Sequence, residues 1–211
     1  MHILKAEHIE KTIQGKRILC DIDLELKSGL VYGIVGRNGS GKTMLFRAMS
    51  GLMKLTRGRV EYDGQELKKD FDVLPSLGIT IEHAGMYPEF TGLQNLKILA
   101  RIKGNISEAE ICDAIERVGL DPADKRIVKK YSLGMKQRLA IAQAVMEKPE
   151  VIMLDEPTNG LDEDGVSMIR QIISEERERG SIVLLASHNK EDINLLADKV
   201  YRISEGRLQE E

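Results

Sequence analysis

Gly36-Arg37-Asn38-Gly39-Ser40-Gly41-Lys42-Thr43 fits the pattern G-x-x-x-x-G-K-[ST], and the reading of this stretch decides the fold. Immediately before it, Leu30-Val31-Tyr32-Gly33-Ile34-Val35 is a short apolar run of strand type. After it, Met44, Leu45, Ala48, Met49 and Leu52 recur at helical spacing until Gly51 and the Gly58 region break the pattern. A strand, a glycine-rich turn and a helix start make a phosphate cradle. Gly39 and Gly41 admit backbone conformations that a side chain would block, so successive N–H groups can converge on phosphate oxygens. The helix N-terminus adds unpaired donors and the positive end of its dipole. Lys42 then reaches the β- and γ-phosphates, and the Thr43 hydroxyl ligates Mg²⁺. On this reading the stretch is a P-loop.

The bulk properties set the frame around it. A chain of 211 residues suits one compact domain over 1–211 with a substantial core. A net charge of −3 leaves no general footprint for nucleic acid, so none is expected as a partner. Cys20 and Cys112 lie far apart, which supports neither a disulfide framework nor a zinc site and fits a reducing cytoplasm. The stretch Met1-His2-Ile3-Leu4-Lys5-Ala6-Glu7 has no basic region followed by a long apolar run, and no segment has transmembrane length. Work at a membrane would need membrane segments supplied by a partner.

Along the chain, Asp21 to Lys27 alternates polar and apolar residues as a half-buried strand does, and Gly58 to Asp63 repeats the pattern briefly. These suggest an N-terminal antiparallel β-region beside the P-loop. Leu77 to Glu82 reads as another strand. A helical section of about 83–135 follows, with Leu93, Leu96, Leu99 and Ala100 on one face and Ile106, Ile111, Ile115 and Val118 on another. The basic run Lys125, Arg126, Lys129 and Lys130 reads as a solvated face. Beyond it, Met135, Leu139, Ala142 and Met146 mark a helix, and Val151-Ile152-Met153-Leu154 a strand buried on both faces. A helix with Val166, Ile169 and Ile173, a second buried strand at Ser181–Ala186, a short helix at 190–197 and a strand at Lys199–Ser204 complete the pattern. The fold class expected is α/β, a P-loop core with a mainly parallel sheet and an inserted helical section.

Three further groups carry chemistry. Asp155 and Glu156 end the first buried strand, at the edge of an open parallel sheet where ligands bind. Asp155 would hold Mg²⁺ through water or the Thr43 hydroxyl, and Glu156 would polarise the water that attacks the γ-phosphate. The plainer alternative is an acidic first turn for the next helix. His188 ends the second buried strand; it is either structural or able to reach the γ-phosphate or orient the attacking water. Tyr131-Ser132-Leu133-Gly134-Met135-Lys136-Gln137 opens a helix with Ser132 as its N-cap, a second potential anion site.

Taken together these motifs resemble, in order and over nearly the whole chain, the nucleotide-binding subunit of an ATP-binding cassette transporter. Gly36 to Thr43 matches its P-loop, Ser132-Leu133-Gly134-Met135 its signature, and Val151 to Glu156 its Mg-binding strand and catalytic glutamate. Asn159-Gly160-Leu161-Asp162 resembles its D-loop, and His188 its switch histidine. The resemblance implies binding of ATP and Mg²⁺ by Gly36, Arg37, Asn38, Gly39, Ser40, Gly41, Lys42, Thr43 and Met44, with Glu156, His188 and Lys42 as catalytic groups. It further implies two cassettes packed head to tail, like or unlike, with Ser132 and Gly134 completing the partner's site. The helical section would then grip a separate transmembrane permease subunit at the cytoplasmic face of the membrane.

Three positions depart from the family pattern. Ile13 stands where an aromatic residue usually stacks on adenine, so apolar contact is kept but the π-face is lost. Glu82 replaces the usual glutamine and could approach Mg²⁺, though it adds negative charge beside the phosphates. Leu133 and Met135 replace the usual signature Gly and Gln. This form of signature, with Ile81-Glu82 and Met86-Tyr87-Pro88, is similar to exporter cassettes of the bacitracin-resistance and lantibiotic-immunity type. The rival classes are a P-loop kinase of small metabolites and a soluble, non-transport cassette. The first leaves the signature unexplained; the second usually brings coiled-coil insertions or duplication, of which the sequence has neither. The chain's extent past Arg207-Leu208 suggests no added regulatory domain.

Overall fold

The structure is a computed structural model that describes residues 1–81 and 85–211. β1 (Ile3–Ile13) and β2 (Lys16–Lys27) form a long antiparallel hairpin. Its turn residues Gln14 and Gly15 both have positive φ (49° and 79°), which matches the right-handed twist of the strands they join. Along β2, Ile22, Leu24 and Leu26 are buried while Asp21, Asp23 and Glu25 face solvent. β3 (Leu30–Val35) leads into the P-loop and α1 (Lys42–Ser50) leaves it. β4 (Arg57–Tyr62) and β5 (Gln65–Glu66) complete a four-stranded antiparallel sheet in the order β2-β1-β4-β5.

β6 (Leu77–Thr80) precedes the helical section: α2 (Gly92–Lys103), α3 (Glu108–Arg117), a 3₁₀ turn at Val128–Lys130 and the start of α4 (Leu133–Val145). β7 (Val151–Asp155), α5 (Glu163–Glu178), β8 (Ile182–Ala186), α6 (Lys190–Leu196), β9 (Lys199–Ser204) and β10 (Arg207–Glu210) follow. The second sheet has the order β10-β9-β3-β8-β7-β6, parallel throughout except for β10. The α/β class, the antiparallel N-terminal region and the mainly parallel sheet are as the sequence suggests. β10 is an addition, since Arg207 to Glu210 carries only one apolar residue and so gives no periodic signal.

The central strands divide their side chains between two apolar clusters. Ile152 and Leu154 of β7 and Val183 and Leu185 of β8 join residues of α2 to α5 on one face. Val151, Met153, Ile182 and Leu184 point the other way, onto α1 and the inner face of the antiparallel sheet. That two-residue period, with both faces covered, is why these strands read as unbroken apolar runs. Leu96, Ile111, Ile115 and Val128 of the helical section share the first cluster with the sheet. No helix among the described residues is long and apolar enough to cross a membrane.

Two helix boundaries differ from the expected pattern. Gly51, at φ 85°, caps α1, so Leu52 leaves the helix and is 50% exposed. Ile106 precedes α3, whose cap is Ser107 in a capping box with Glu110; Ile106 and Ile111 occupy the two positions that a hydrophobic staple joins.

Asn95, 1% exposed on α2, organises the loop before that helix. Its Oδ1 accepts from the Tyr87 N–H (2.7 Å), and its Nδ2 donates to the carbonyls of Tyr87 (3.0 Å) and Thr91 (2.9 Å). Asn95→Ala is expected to cost about 2–3 kcal/mol of unfolding free energy, since it removes several hydrogen bonds made by a buried amide to the part-buried loop. The urea midpoint measures this, and a loss below about 0.5 kcal/mol would contradict it. A second expectation concerns the bulge of β1 at His8. The His8 Nδ1 lies 2.9 Å from Asp21 Oδ1, and this hydrogen bond, followed by the charges of Asp23 and Asp21, raises the His8 pKa above its ordinary 6.5. The raised value means that the stabilisation is complete below the ordinary pKa and is lost as pH rises through the folded one. An NMR titration should give an elevated His8 midpoint that Asp21→Asn brings down; a midpoint at or below the ordinary value would contradict the assignment.

Candidate nucleotide-binding and catalytic site

The P-loop is shaped by its glycines. Gly39 has φ 78° and Gly41 φ 114°, values that L side chains rarely adopt. A Cβ on Gly36 would sit 2.5 Å from the Ile203 carbonyl oxygen and 2.6 Å from Ser40 Oγ, so the loop closes against β9 only without a side chain there. Gly41 stands at the N-cap of α1, and no side chain caps the helix. Its first-turn N–H groups and positive dipole end are therefore presented to the cavity. Ser40 Oγ is buried with no hydrogen-bond partner among the described residues. Lys42 is 7% exposed, and its ammonium donates to the carbonyls of Gly36 (2.8 Å) and Arg37 (3.4 Å). An anion at the loop would exchange these neutral acceptors for a charge-assisted one.

A cavity of about 1070 Å³ opens beside the loop. Asn38, Gly39, Gly41, Lys42, Thr43 and Met44 line one side, and Asp155, Glu156 and Asn159 another. Thr43 Oγ1 donates to Asp155 Oδ2 at 2.5 Å, which brings two hard oxygen donors together, a set suited to Mg²⁺. Adjacent residues on a strand point to opposite faces, yet Asp155 and Glu156 both line the cavity. The reason is backbone: Glu156 has φ 52°, in the left-handed region, so the chain turns sharply where β7 ends. Its N–H donates to the Ala186 carbonyl (2.8 Å), while its carbonyl accepts from the N–H of Asn159 (3.2 Å).

His188, at the end of the neighbouring strand, meets Glu156 directly. Its Nδ1 lies 2.6 Å from Glu156 Oε2, and its backbone N–H donates to the same oxygen at 3.2 Å. With the proton on Nδ1, the neutral ring keeps Nε2 as an acceptor. Behind this pair, Thr158 donates to Asp192 Oδ2 (2.6 Å), and the fully buried Asp192 carboxylate is paired with Arg170.

At the other wall, Ser132 caps α4 as expected, its Oγ accepting from the Met135 N–H at 3.1 Å. Ser132 is exposed, Leu133 is 69% exposed, and neither Ser132 nor Gly134 lines the cavity, whereas Leu133, Lys136 and Gln137 do. The preceding Tyr131 is buried, and that burial, with the charge of Asp124, raises its phenol pKa and keeps it protonated. Ile13 sits at the hairpin tip, 41% exposed and outside the cavity lining; Ile18, on the next strand, lines it instead. Of the basic run, Lys129 lines the cavity too, and Arg126 is held by Asp124. Glu82 lies outside the described residues.

Sequence reasoning therefore missed Ile18, Lys136 and Gln137. Ile18 belongs to the part of β2 before its strict alternation begins. Gln137 had one usable signal, its position one helical turn and a half beyond the Ser132 cap.

The family model described as ABC transporter matches residues 19–159. An uncharacterized ABC transporter ATP-binding protein of Bacillus subtilis (strain 168), YybJ, is 43% identical over 98% of this chain and 95% of its own length. The bacitracin transport ATP-binding protein BcrA of Enterococcus faecalis is 39% identical, over 100% of this chain and 69% of the relative. The lantibiotic transport ATP-binding protein SrtF of Streptococcus pyogenes is 34% identical over 98% and 89%. The fold is similar to that of MJ0796 in a dimeric post-hydrolysis state bound to ADP and Pi, with a TM-score of 0.88 over 99% and 97% of the two chains and 23% identity. The chain belongs to the ATP-binding cassettes of the ABC transporter family and is an ATPase of that family.

Proposed function

We propose that the chain is the motor subunit of an exporter, driving a separate transmembrane permease subunit from the cytoplasmic face of the membrane through ATP-dependent pairing with a second cassette. The observation that carries this reading is the convergence of Thr43, Asp155 and Glu156 on the cavity beside the P-loop, with His188 bonded to Glu156. The export direction is supported by the similarity to BcrA and SrtF, whose names describe bacitracin and lantibiotic transport. In this reading Gly36 to Met44 cradle the phosphates, with Lys42 on the β- and γ-oxygens. Ile18, with Ile13 on the same hairpin, offers the base apolar contact without an aromatic face. Thr43 and Asp155 would hold Mg²⁺, with Glu82 as a further candidate; the ion, when bound, neutralises the phosphate oxygens.

The hydrolytic step follows from the chain's own groups. Glu156 accepts a proton from water as the water oxygen bonds to the γ-phosphorus. The bond to the β–γ bridging oxygen then breaks, leaving ADP and phosphate. His188, through Nδ1–H, orients the Glu156 carboxylate; Nε2 of the neutral ring accepts from the attacking water, and a γ-phosphate oxygen would be met only by the doubly protonated ring, donating through Nε2. Ser132 and the Gly134 amide of one cassette would meet the γ-phosphate bound by the other. The exposure of Ser132 and Leu133 at the start of the 13-residue α4 supports an approach by a second molecule.

Glu156→Gln is expected to keep ATP binding and lower turnover at least about 100-fold. Light scattering should detect a dimer of this variant with ATP and a monomer without it. Normal hydrolysis would remove Glu156 from its role, and a monomer at saturating ATP would overturn pairing of like copies. Lys42→Ala should weaken ATP binding about 10- to 100-fold by calorimetry, the worth of one or two charge-assisted hydrogen bonds. Unchanged affinity would contradict the phosphate contact.

A further inference from the structure

We propose that Gln137 is a positioning residue for Glu156: its carboxamide, carried on the helix that begins after Ser132, fixes the peptide on which the Glu156 carboxylate turns. The proposal rests on the reading of Glu156 as the hydrolytic base. Gln137 Nε2 donates to the carbonyl of Glu156 at 3.1 Å and to that of Pro157 at 3.2 Å. Both partners are acceptors, so the NH₂ end of the amide must face them.

That peptide needs holding. A side chain at φ 52° costs about 1–2 kcal/mol and persists only where its surroundings over-determine it. The N–H of Glu156 is fixed to β8 through Ala186 (2.8 Å). On its other side the chain continues into Pro157, which has no N–H. The Glu156 carbonyl oxygen is therefore the only hydrogen-bonding group of the Glu156–Pro157 peptide. It receives the Asn159 N–H from within the same turn (3.2 Å) and Gln137 from a separate element. Gln137 is thus the tie that anchors this carbonyl to something rigid outside its own turn. Without it the peptide can rotate about the Glu156 backbone and swing the carboxylate, whose partners at Oε2, the Nδ1 and backbone N–H of His188, belong to an exposed residue beyond the end of β8.

The apolar contacts of α4 reinforce the same joint. A Cβ on Gly160 would lie 2.8 Å from Leu133 Cδ2, and one on Gly134 would lie 3.2 Å from the Gly160 carbonyl oxygen. The first turn of α4 and the segment from Glu156 to Leu161 are therefore packed together, and Gln137 is the polar link between them. An α-helix is stiff, and Ser132 and Gln137 are only about 7.5 Å apart along its axis. A contact made at the start of α4 thus bears on the carboxylate of the same chain.

The test compares Gln137→Met, which keeps the length and removes the donors, with Gln137→Glu, which sets a carboxylate against two carbonyl oxygens. Both should lower the kcat of ATP hydrolysis about 10- to 100-fold, the cost of a misplaced catalytic group. For Gln137→Met, KM and the directly measured ATP affinity should stay within about threefold, because the amide it removes faces the Glu156 and Pro157 carbonyls and no charge is added to the cavity. In a Glu156→Gln background, Gln137→Met should lower the residual rate by less than about twofold, since a group acting through Glu156 has nothing left to position. Retention of the parental kcat in Gln137→Met would overturn the proposal, as would a full additive loss on top of Glu156→Gln. If Glu156→Gln itself hydrolyses ATP normally, it is the reading of Glu156 as base that fails. If Glu156→Gln is inactive and Gln137→Met is not, the base stands and the positioning role alone is lost.

Discussion

Ala186 of β8 pairs with Ile34 on one side and with Asp155 on the other. This register governs the site. Three parallel strands end at the same level, so the P-loop after β3, the acidic pair at the end of β7 and His188 beyond β8 emerge side by side, although the P-loop lies more than a hundred positions from the other two. The alignment is stabilised by burial on both faces. Ile182 to Ala186 are fully buried, and each large aliphatic side chain there contributes roughly 1.5–3 kcal/mol. A slip of one residue in β8 would exchange the two apolar clusters and move His188 to the far face of the sheet.

Above this edge the proposed chemistry depends on two backbone departures from regularity. The glycines of the P-loop turn N–H groups inward at φ values open to them, and Glu156 turns at a φ unfavourable to it. The first is inexpensive and local. The second is maintained by tertiary contacts: a strand on one side, a histidine at the carboxylate and a helix amide at the carbonyl. Strain of this kind, held by surrounding structure, clusters at sites whose groups must be ready before the substrate arrives, in keeping with the role proposed for Glu156.

The two sheets divide the labour. The antiparallel sheet closes the second apolar cluster over α1 and presents the hairpin that carries Ile13 and Ile18. The helical section shares its core with the parallel sheet and ends in α4, whose first turn is exposed to solvent at Ser132 and Leu133 while its next turn touches the segment after β7. One helix thus has an outward contact and an inward one, and its rigidity joins them.

Much of this was legible in the residues. Val151 to Leu154 and Ser181 to Ala186 are continuous apolar runs because parallel strands bury both faces. The P-loop is legible because glycines at that spacing followed by Lys42 and Thr43 suit a phosphate at a helix start. Ser132 as a cap, and the alternation of β2, are local properties and were read as such. The residues also brought Thr43 and Asp155 together across 112 positions, because both motifs serve one ion. What they did not give were the contacts of His188 with Glu156 and of Gln137 with the Glu156 carbonyl, which span 32 and 19 positions. Ile18 meets the cavity, while Ile13 stays at the hairpin tip, through the twist and bulges of a strand pair. The sequence by itself determined which groups stand at the strand and helix ends, because propensity and periodicity are local. Beyond Thr43 and Asp155, the tertiary structure alone decided which of those groups touch, because contact is set by register and packing between elements that the chain does not join directly.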